Sequence, residues 1–134
     1  MKQTVRSISL ENASWLNYSP LGKRELLGKV VLLDFFSYCC INCLNVLEEL
    51  KRLEDEFKKE LLVIGIHSGK HPHEKEDEAI LDAMRRYKIK HCVINDADMK
   101  LWDGYGIKAW PTMVLIDPQA VSYTHLTLPT TRLV

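Results

Sequence analysis

The hydrophobic positions of the chain form two apolar runs of strand length with a helical pattern between them. The first run extends from Lys29 to Phe36 and is apolar on both faces, which is typical of a central strand covered by helices on each side. The second run extends from Leu61 to His67. Between the runs, apolar residues recur at helical spacing, and they are Val46, Leu47, Leu50, Leu53, Phe57 and Leu61. This order predicts a strand, a long amphipathic helix and a strand in one right-handed crossover.

The second half of the chain continues this alternation with shorter elements. A helical pattern begins among acidic residues near Glu76 and ends near Tyr87, where basic residues follow as the helix dipole favours. A short strand is predicted at His91–Ile94, a helix of one or two turns within Asp98–Tyr105, and a final strand at Trp110–Asp117. The order of elements predicts an α/β fold with a central mixed sheet flanked by helices.

The two ends of the chain lack these patterns. Residues 1–28 are polar with scattered apolar positions, and we interpret them as an irregular lead-in to a single domain at residues 29–120. Residues 121–134 are rich in threonine and lack periodicity, which indicates a disordered or non-native tail. An α/β domain of this plan ordinarily ends in an edge strand and a covering helix. The sequence therefore predicts that both are missing and that an unpaired sheet edge allows self-association.

Composition excludes some function classes without choosing one. The chain has 134 residues with 18 basic and 18 acidic side chains, so it has no positive field to hold nucleic acid or an anionic membrane surface. Residues 1–20 contain no apolar segment with the length of a signal-peptide core or a membrane span, and a cytoplasmic location is the default expectation. The four cysteines are clustered rather than spread, and this spacing indicates redox or metal chemistry rather than a disulfide framework.

The clustered cysteines lie where the first strand ends and the long helix begins. Cys40 and Cys43 form a Cys-x-x-Cys motif, and the helix is expected to begin at or just before Cys40. Free amides and a partial positive charge at a helix start stabilise a thiolate, which makes Cys40 the expected nucleophile. Cys43 lies one turn further on nearly the same side, where it can resolve a mixed disulfide formed at Cys40. The motif alone also permits a metal site or two cysteines that simply pack in the core.

Two segments of the chain are distinctive, namely Asp34-Phe35-Phe36-Ser37 before Cys40-Ile41-Asn42-Cys43, and Trp110-Pro111-Thr112 before a strand. With these segments, residues Lys29 to Asp117 resemble the thioredoxin superfamily. The tandem cysteines and the segment Gly65-Ile66-His67-Ser68 particularly resemble the thioredoxin-like domain that precedes an NHL β-propeller in NHL-repeat-containing proteins. The interval from Cys40 to Pro111 is longer than in a minimal thioredoxin, and an inserted helix and strand account for it.

This resemblance implies a thioredoxin-like fold and roles for several residues. Pro111 is expected to follow a cis peptide bond opposite the cysteine pair, where Trp110, Pro111 and Thr112 would bind substrate. Asp34 matches the buried aspartate of thioredoxins, whose pKa is raised by desolvation and which takes the proton of Cys43 during resolution. No cofactor is implied other than the redox-active disulfide itself.

The active-site motif departs from thioredoxins at two places. Cys39 replaces the usual tryptophan, and Ile41-Asn42 replaces the usual Gly-Pro, which changes redox poise and substrate choice. We interpret Cys39 as a bystander thiol, with oxidative regulation and metal ligation as alternatives. Cys39 and Cys43 have the spacing used by copper-delivering thioredoxin-fold proteins, and His67 is a candidate third ligand in such a site.

The sequence therefore favours an enzyme, a thiol-disulfide oxidoreductase that acts on protein or small disulfides through Cys40 and Cys43. Its partners would be protein thiols or disulfides and an unidentified reductant, without nucleic acid or membrane. The alternatives are the copper-binding protein described above and a non-catalytic interaction module that docks through Trp102, Tyr105 and Trp110.

Overall fold

A computed structural model describes residues 3–6, 10, 12–18, 28–117 and 121–126 of the protein. Within them the strands are β1 Gln3–Arg6, β2 Val30–Phe36, β3 Leu61–His67, β4 Cys92–Asn95, β5 Thr112–Ile116 and β6 Val121–Leu126. The α-helices are α1 Ile41–Glu56, α2 Asp77–Arg86 and α3 Lys100–Gly104, and a 3-10 helix at Pro72–Lys75 precedes α2. The strands form one mixed sheet in the order β1-β6-β5-β2-β3-β4. No helix in these ranges is long and apolar enough to cross a membrane.

Strand β2 lies in the interior of the sheet because its side chains are apolar in both directions. Leu33 and Phe35 belong to the core cluster that includes the side chains of α3, whereas Leu32 and Phe36 belong to the cluster packed by α1 and α2. β2 pairs in parallel with β3 and antiparallel with β5. The prediction of a central strand covered on both faces is confirmed.

Helix α1 begins where the sequence predicted. Cys40 is its N-cap residue with an extended backbone, and the buried face of the helix includes Leu50, which is fully shielded from solvent. Burial of such a leucine contributes about 2 kcal/mol to folding. The helix ends at Glu56, before Leu61, which the helical spacing had included but which begins β3.

The prediction of an irregular lead-in is wrong for β1, whereas residues 14–17 are irregular but pair with the sheet. β1 pairs antiparallel with β6. Residues 14–17 run along the outer edge of β4, where the Leu16 amide donates to the Val93 carbonyl at 2.9 Å. Both segments are held by backbone pairing with distant strands, so their side chains carry little periodic signal.

The prediction that no edge strand follows β5 is also wrong. β6 pairs antiparallel with β5, and β1 covers the other side of β6. The sheet edge expected to allow self-association is therefore paired. The predicted disorder of the tail is wrong for residues 121–126, which form β6. Residues 127–134, where a covering helix would follow, lie outside the described residues, and a non-native origin of residues 121–134 remains a prediction.

Candidate active site

Cys40 and Cys43 lie together at the first turn of α1. Cys40 is 7% exposed and Cys43 is 1% exposed, and both thiols are free. The Cys43 amide donates to the Cys40 sulphur at 3.3 Å. Burial, together with the hydrogen bond and the charge of Cys40, raises the pKa of the Cys43 thiol. Cys43 is therefore protonated at neutral pH, and it needs a base before it can act as a nucleophile.

Asp34 is the buried carboxyl group on the face of β2 that carries the cysteine pair. Asp34 lies two positions from both Leu32 and Phe36 and therefore on the same face of the strand. Leu32 and Phe36 belong to the same core cluster as Cys40 and Cys43. Asp34 is 1% exposed, and neither carboxyl oxygen has a hydrogen-bond partner among the described residues. Burial raises its pKa to about 7, against an opposing contribution from His91. The predicted desolvation of this carboxyl is confirmed.

The loop that enters β5 reaches the same region. Thr112 pairs with Phe35 in the ladder, so Pro111 lies beside the end of β2 from which the cysteine turn departs. The Trp110–Pro111 peptide bond is cis. The Trp110 side chain packs against the core cluster that contains both cysteines, and its indole nitrogen donates to the Ser68 carbonyl at 2.7 Å. The loop therefore lies at the end of β2 that leads into the cysteine turn, and its role in substrate binding remains a prediction.

Cys39 interacts with Glu74, a buried carboxylate that sequence reasoning missed. Glu74 accepts hydrogen bonds from the Ser37 hydroxyl and from the amides of Lys70 and His71 at 3.1 and 2.9 Å. Desolvation acts to raise the pKa of Glu74, but these hydrogen bonds outweigh it and the pKa is lowered. Desolvation and the charge and hydrogen bond of Glu74 in turn raise the pKa of Cys39. Cys39 is thus an exposed thiol that stays protonated at neutral pH.

The signal for Glu74 in the sequence is weak. The residue follows a proline and precedes further charged residues, a pattern typical of a solvated loop. Only the 3-10 helix at Pro72–Lys75 turns this carboxylate inward toward Ser37.

The three residues of the alternative copper site are not brought together. His67 is buried, and its Nε2 accepts a hydrogen bond from the Tyr38 amide at 3.2 Å. Burial also lowers the pKa of His67 to about 4. Cys39 is exposed whereas Cys43 is buried. Across the described ranges, no group of three or more His, Cys, Asp or Glu residues is placed to hold a metal ion.

Comparison with known proteins assigns the chain to a family. Residues 28–120 match the family described as Thioredoxin-like. The chain belongs to this thioredoxin-like family. It is 49% identical over 121 residues to Protein SUPPRESSOR OF QUENCHING 1, chloroplastic, of Arabidopsis thaliana, and 46% identical over 120 residues to NHL repeat-containing protein 2 of Gallus gallus. Both matches cover 87% of this chain but only 12% and 16% of the two relatives.

A solved structure shows the same fold. The thiol-disulfide isomerase from Corynebacterium glutamicum superposes with a TM-score of 0.75 at 22% identity, covering 90% of this chain and 87% of that chain. The resemblance to thioredoxins and to NHL-repeat-containing proteins expected from the sequence is confirmed.

Proposed function

We propose that this thioredoxin-like domain is a thiol-disulfide oxidoreductase that cycles between a Cys40–Cys43 dithiol and a disulfide. One observation carries the proposal. Two adjacent thiols at a helix start share a core face with a buried carboxyl group whose oxygens have no partner among the described residues. Family membership supports the same chemistry.

Cys40 is the thiol that attacks the substrate. It is more exposed than Cys43, at 7% against 1%, and it occupies the N-cap position, where helix amides stabilise a thiolate. The Cys40 sulphur bonds to one sulphur of a substrate disulfide, the disulfide breaks, and one substrate thiolate leaves.

Cys43 then resolves the mixed disulfide with Asp34 as its base. Burial is the first cause of the raised Cys43 pKa and persists throughout, whereas the hydrogen bond and the charge of Cys40 are lost once Cys40 is bonded to substrate. The pKa of Cys43 therefore falls when the thiol must become a nucleophile, and Asp34, with a pKa near 7, accepts the proton. The Cys43 thiolate attacks the Cys40 sulphur and the second substrate thiolate leaves. The protein dithiol is oxidised by two electrons, the substrate is reduced, and a dithiol reductant restores the cycle.

Protein disulfides are the substrate class that the surroundings favour. Ile41, between the two cysteines, is 72% exposed and offers an apolar contact beside Cys40. The Trp110–Thr112 loop lies at the same site and supplies backbone groups to which an extended peptide can pair. Lys70 lies over the Trp110 ring, 4.9 Å from its centroid, and holds the indole in place.

Two of the three aromatic residues of the interaction-module alternative are not available for docking, and only Trp110 is half-buried. Trp102 and Tyr105 are buried in the core cluster around α3, where both pack edge-on against Phe35. Catalysis by the cysteine pair is the better supported function.

Insulin reduction by dithiothreitol tests the proposal. Wild type should accelerate the reaction, Cys40→Ser should abolish the acceleration, and Cys92→Ala should retain it. Cys92 is a matched control because it is also a free buried cysteine but belongs to the opposite core cluster. Equal rates with wild type and Cys40→Ser would contradict the proposed function. The cytoplasmic location expected from the sequence stays a prediction, which fractionation of the tagged protein would check.

A further inference from the structure

Gly65 separates two buried polar groups that lack hydrogen-bond partners among the described residues. It pairs with Asp34 in the β2–β3 ladder, so any side chain at Gly65 would lie on the same sheet face as the carboxyl group. The Nε2 atom of His91 lies 3.2 Å from the position that a Cβ on Gly65 would occupy. Nε2 and both Asp34 oxygens have no partner in the described ranges. Because residue 65 has no side chain, the imidazole packs over β3 at the strand partner of Asp34, next to the Phe36 and Val93 side chains.

The sheet geometry sets the approximate separation of the two groups. Neighbouring strands lie about 4.8 Å apart, so the imidazole at Gly65 is about one strand spacing from the backbone that carries Asp34. A relay between them requires one water molecule bonded to the carboxyl group and to Nε2, beside the Phe36 ring, which lies 3.0 Å from the Cβ position of Gly65. Gly65 therefore opens a path between two groups that a larger residue would separate.

The other ring nitrogen of His91 lies next to Glu54, a side chain that is partly exposed to solvent. The His91 Nδ1 atom lies 3.4 Å from the Glu54 Oε1 atom, and the Glu54 side chain is 32% exposed. Glu54 opens into a cavity of about 330 Å³, whose other lining residues are Lys51, Asp55, Lys88 and Lys90. An imidazole can accept a proton at one nitrogen and release one from the other. Asp34, His91 and Glu54 therefore form a chain from the interior to solvent.

The lead-in segment holds His91 in this position. The Asn17 side-chain amide donates to the His91 carbonyl at 2.9 Å, and its oxygen accepts from the Val93 amide at 3.0 Å. The charged groups around the imidazole come from Asp34 on β2, from α1, and from the lysines before β4 that line the cavity.

We propose that His91 is a positioning residue that carries the proton taken up by Asp34 across the Gly65 gap to Glu54 and the cavity. This inference rests on the proposed function. When Cys43 attacks, its proton goes to the Asp34 carboxylate and its electron pair forms the bond to Cys40. The proton then passes from Asp34 to Nε2 of His91 while the proton on Nδ1 passes to Glu54. Asp34 returns to the carboxylate form, and no electrons pass through His91.

Stopped-flow reaction of the reduced protein with 5,5′-dithiobis(2-nitrobenzoic acid) separates the two chemical steps. All proteins in this assay carry Cys39→Ser, because the exposed Cys39 thiol would also react with the reagent. Attack by Cys40 then releases the first thionitrobenzoate, and resolution by Cys43 releases the second. His91→Gln keeps a polar side chain of similar reach but cannot relay a proton. It should slow the second phase at least about tenfold, since positioned acid–base groups contribute about 10²–10⁴. The first phase should stay within about twofold of wild type.

Two further variants make the result specific. His73→Gln is the matched control, because this exposed histidine stacks on His71 away from the Gly65 gap, and it should change neither phase. His91→Ala removes the ring, and added imidazole should restore its second phase without accelerating wild type.

The outcomes separate this inference from the proposed function. A second phase unchanged in His91→Gln, or both phases slowed equally, would overturn the relay while leaving the oxidoreductase proposal standing. No second phase in wild type would instead refute the proposed function.

A variant at the solvent end of the chain decides the question if the His91 variants do not fold. Glu54→Gln keeps the shape of a side chain that is 32% exposed but cannot accept a proton, so it should slow the second phase and leave the first within about twofold of wild type. A second phase unchanged in Glu54→Gln would overturn the relay.

Discussion

The buried charge of Asp34 should make the stability of the protein fall as pH rises. The pKa of this carboxyl is 3.8 in its ordinary state and about 7 in the folded protein. Between these values the folded state binds more protons than the unfolded state, so the free energy of unfolding decreases with pH from about 4 to about 7. Above pH 7 the charged carboxylate lowers the free energy of unfolding by its full amount. This amount is at most about 4 kcal/mol, because the pKa rises from 3.8 to about 7 and each pKa unit corresponds to about 1.4 kcal/mol.

Asp34→Asn removes this charge and keeps the shape of the side chain. At pH 8 the variant should be more stable than wild type by about 2–4 kcal/mol, whereas at pH 4 the difference should lie within about 1 kcal/mol. The assay is urea unfolding followed by tryptophan fluorescence under reducing conditions from pH 4 to 8.5. The variant should also lose most of its resolving activity, since Cys43 has no base.

Two controls keep the comparison clean. Asp98→Asn neutralises an exposed aspartate and should leave the difference from wild type constant over the same pH range. His67 has its pKa lowered to about 4 by burial, so below pH 6.5 its protonation destabilises every variant alike and cancels in the difference. The reasoning would be refuted if the difference in free energy of unfolding between Asp34→Asn and wild type did not change with pH. The Asp34 carboxyl would then not be a buried group that lacks a stabilising partner.

Three further predictions concern the surroundings of the site. Glu74→Gln should lower the free energy of unfolding by about 1–3 kcal/mol, because charged hydrogen bonds are lost. It should also increase the rate at which iodoacetamide alkylates Cys39 at pH 8, measured by mass spectrometry. An unchanged alkylation rate would contradict the coupling of Glu74 to Cys39. Gly65→Ala should lower the free energy of unfolding measured in urea by about 1–3 kcal/mol, because the added Cβ would lie 3.0 Å from the Phe36 ring and 3.2 Å from His91. An unchanged free energy of unfolding would mean that these side chains lie farther from Gly65. Trp110→Ala should weaken reduction of insulin more than reduction of a small aromatic disulfide, since only the protein substrate pairs with the loop; equal losses in the two assays would count against a binding role.

Local sequence pattern was enough to predict the elements around the cysteine pair. β3 was predicted with its observed bounds, β2 within one residue, and the start of α1 at Cys40, because each depends on hydrophobic periodicity and capping within a short segment. The burial of Asp34 was expected from the resemblance to thioredoxins.

Pairing between distant segments was not predictable in the same way. β1 and β6 pair with each other although they lie far apart in the sequence. Neither strand has an alternation of apolar and polar residues that identifies it. The inward turn of Glu74 likewise depends on Ser37, which precedes it by 37 positions.

Contiguous residues were enough to predict the α/β plan and the Cys-x-x-Cys pair at a helix start, and the resemblance to thioredoxins added the buried acid in the preceding strand. Only the folded chain shows that β6 and β1 extend the sheet beyond β5, that Cys39 interacts with a buried carboxylate, and that His91 lies over Gly65, the strand partner of Asp34. The physical reason is that burial and hydrogen bonding between residues far apart in the chain are set by how the strands and helices pack.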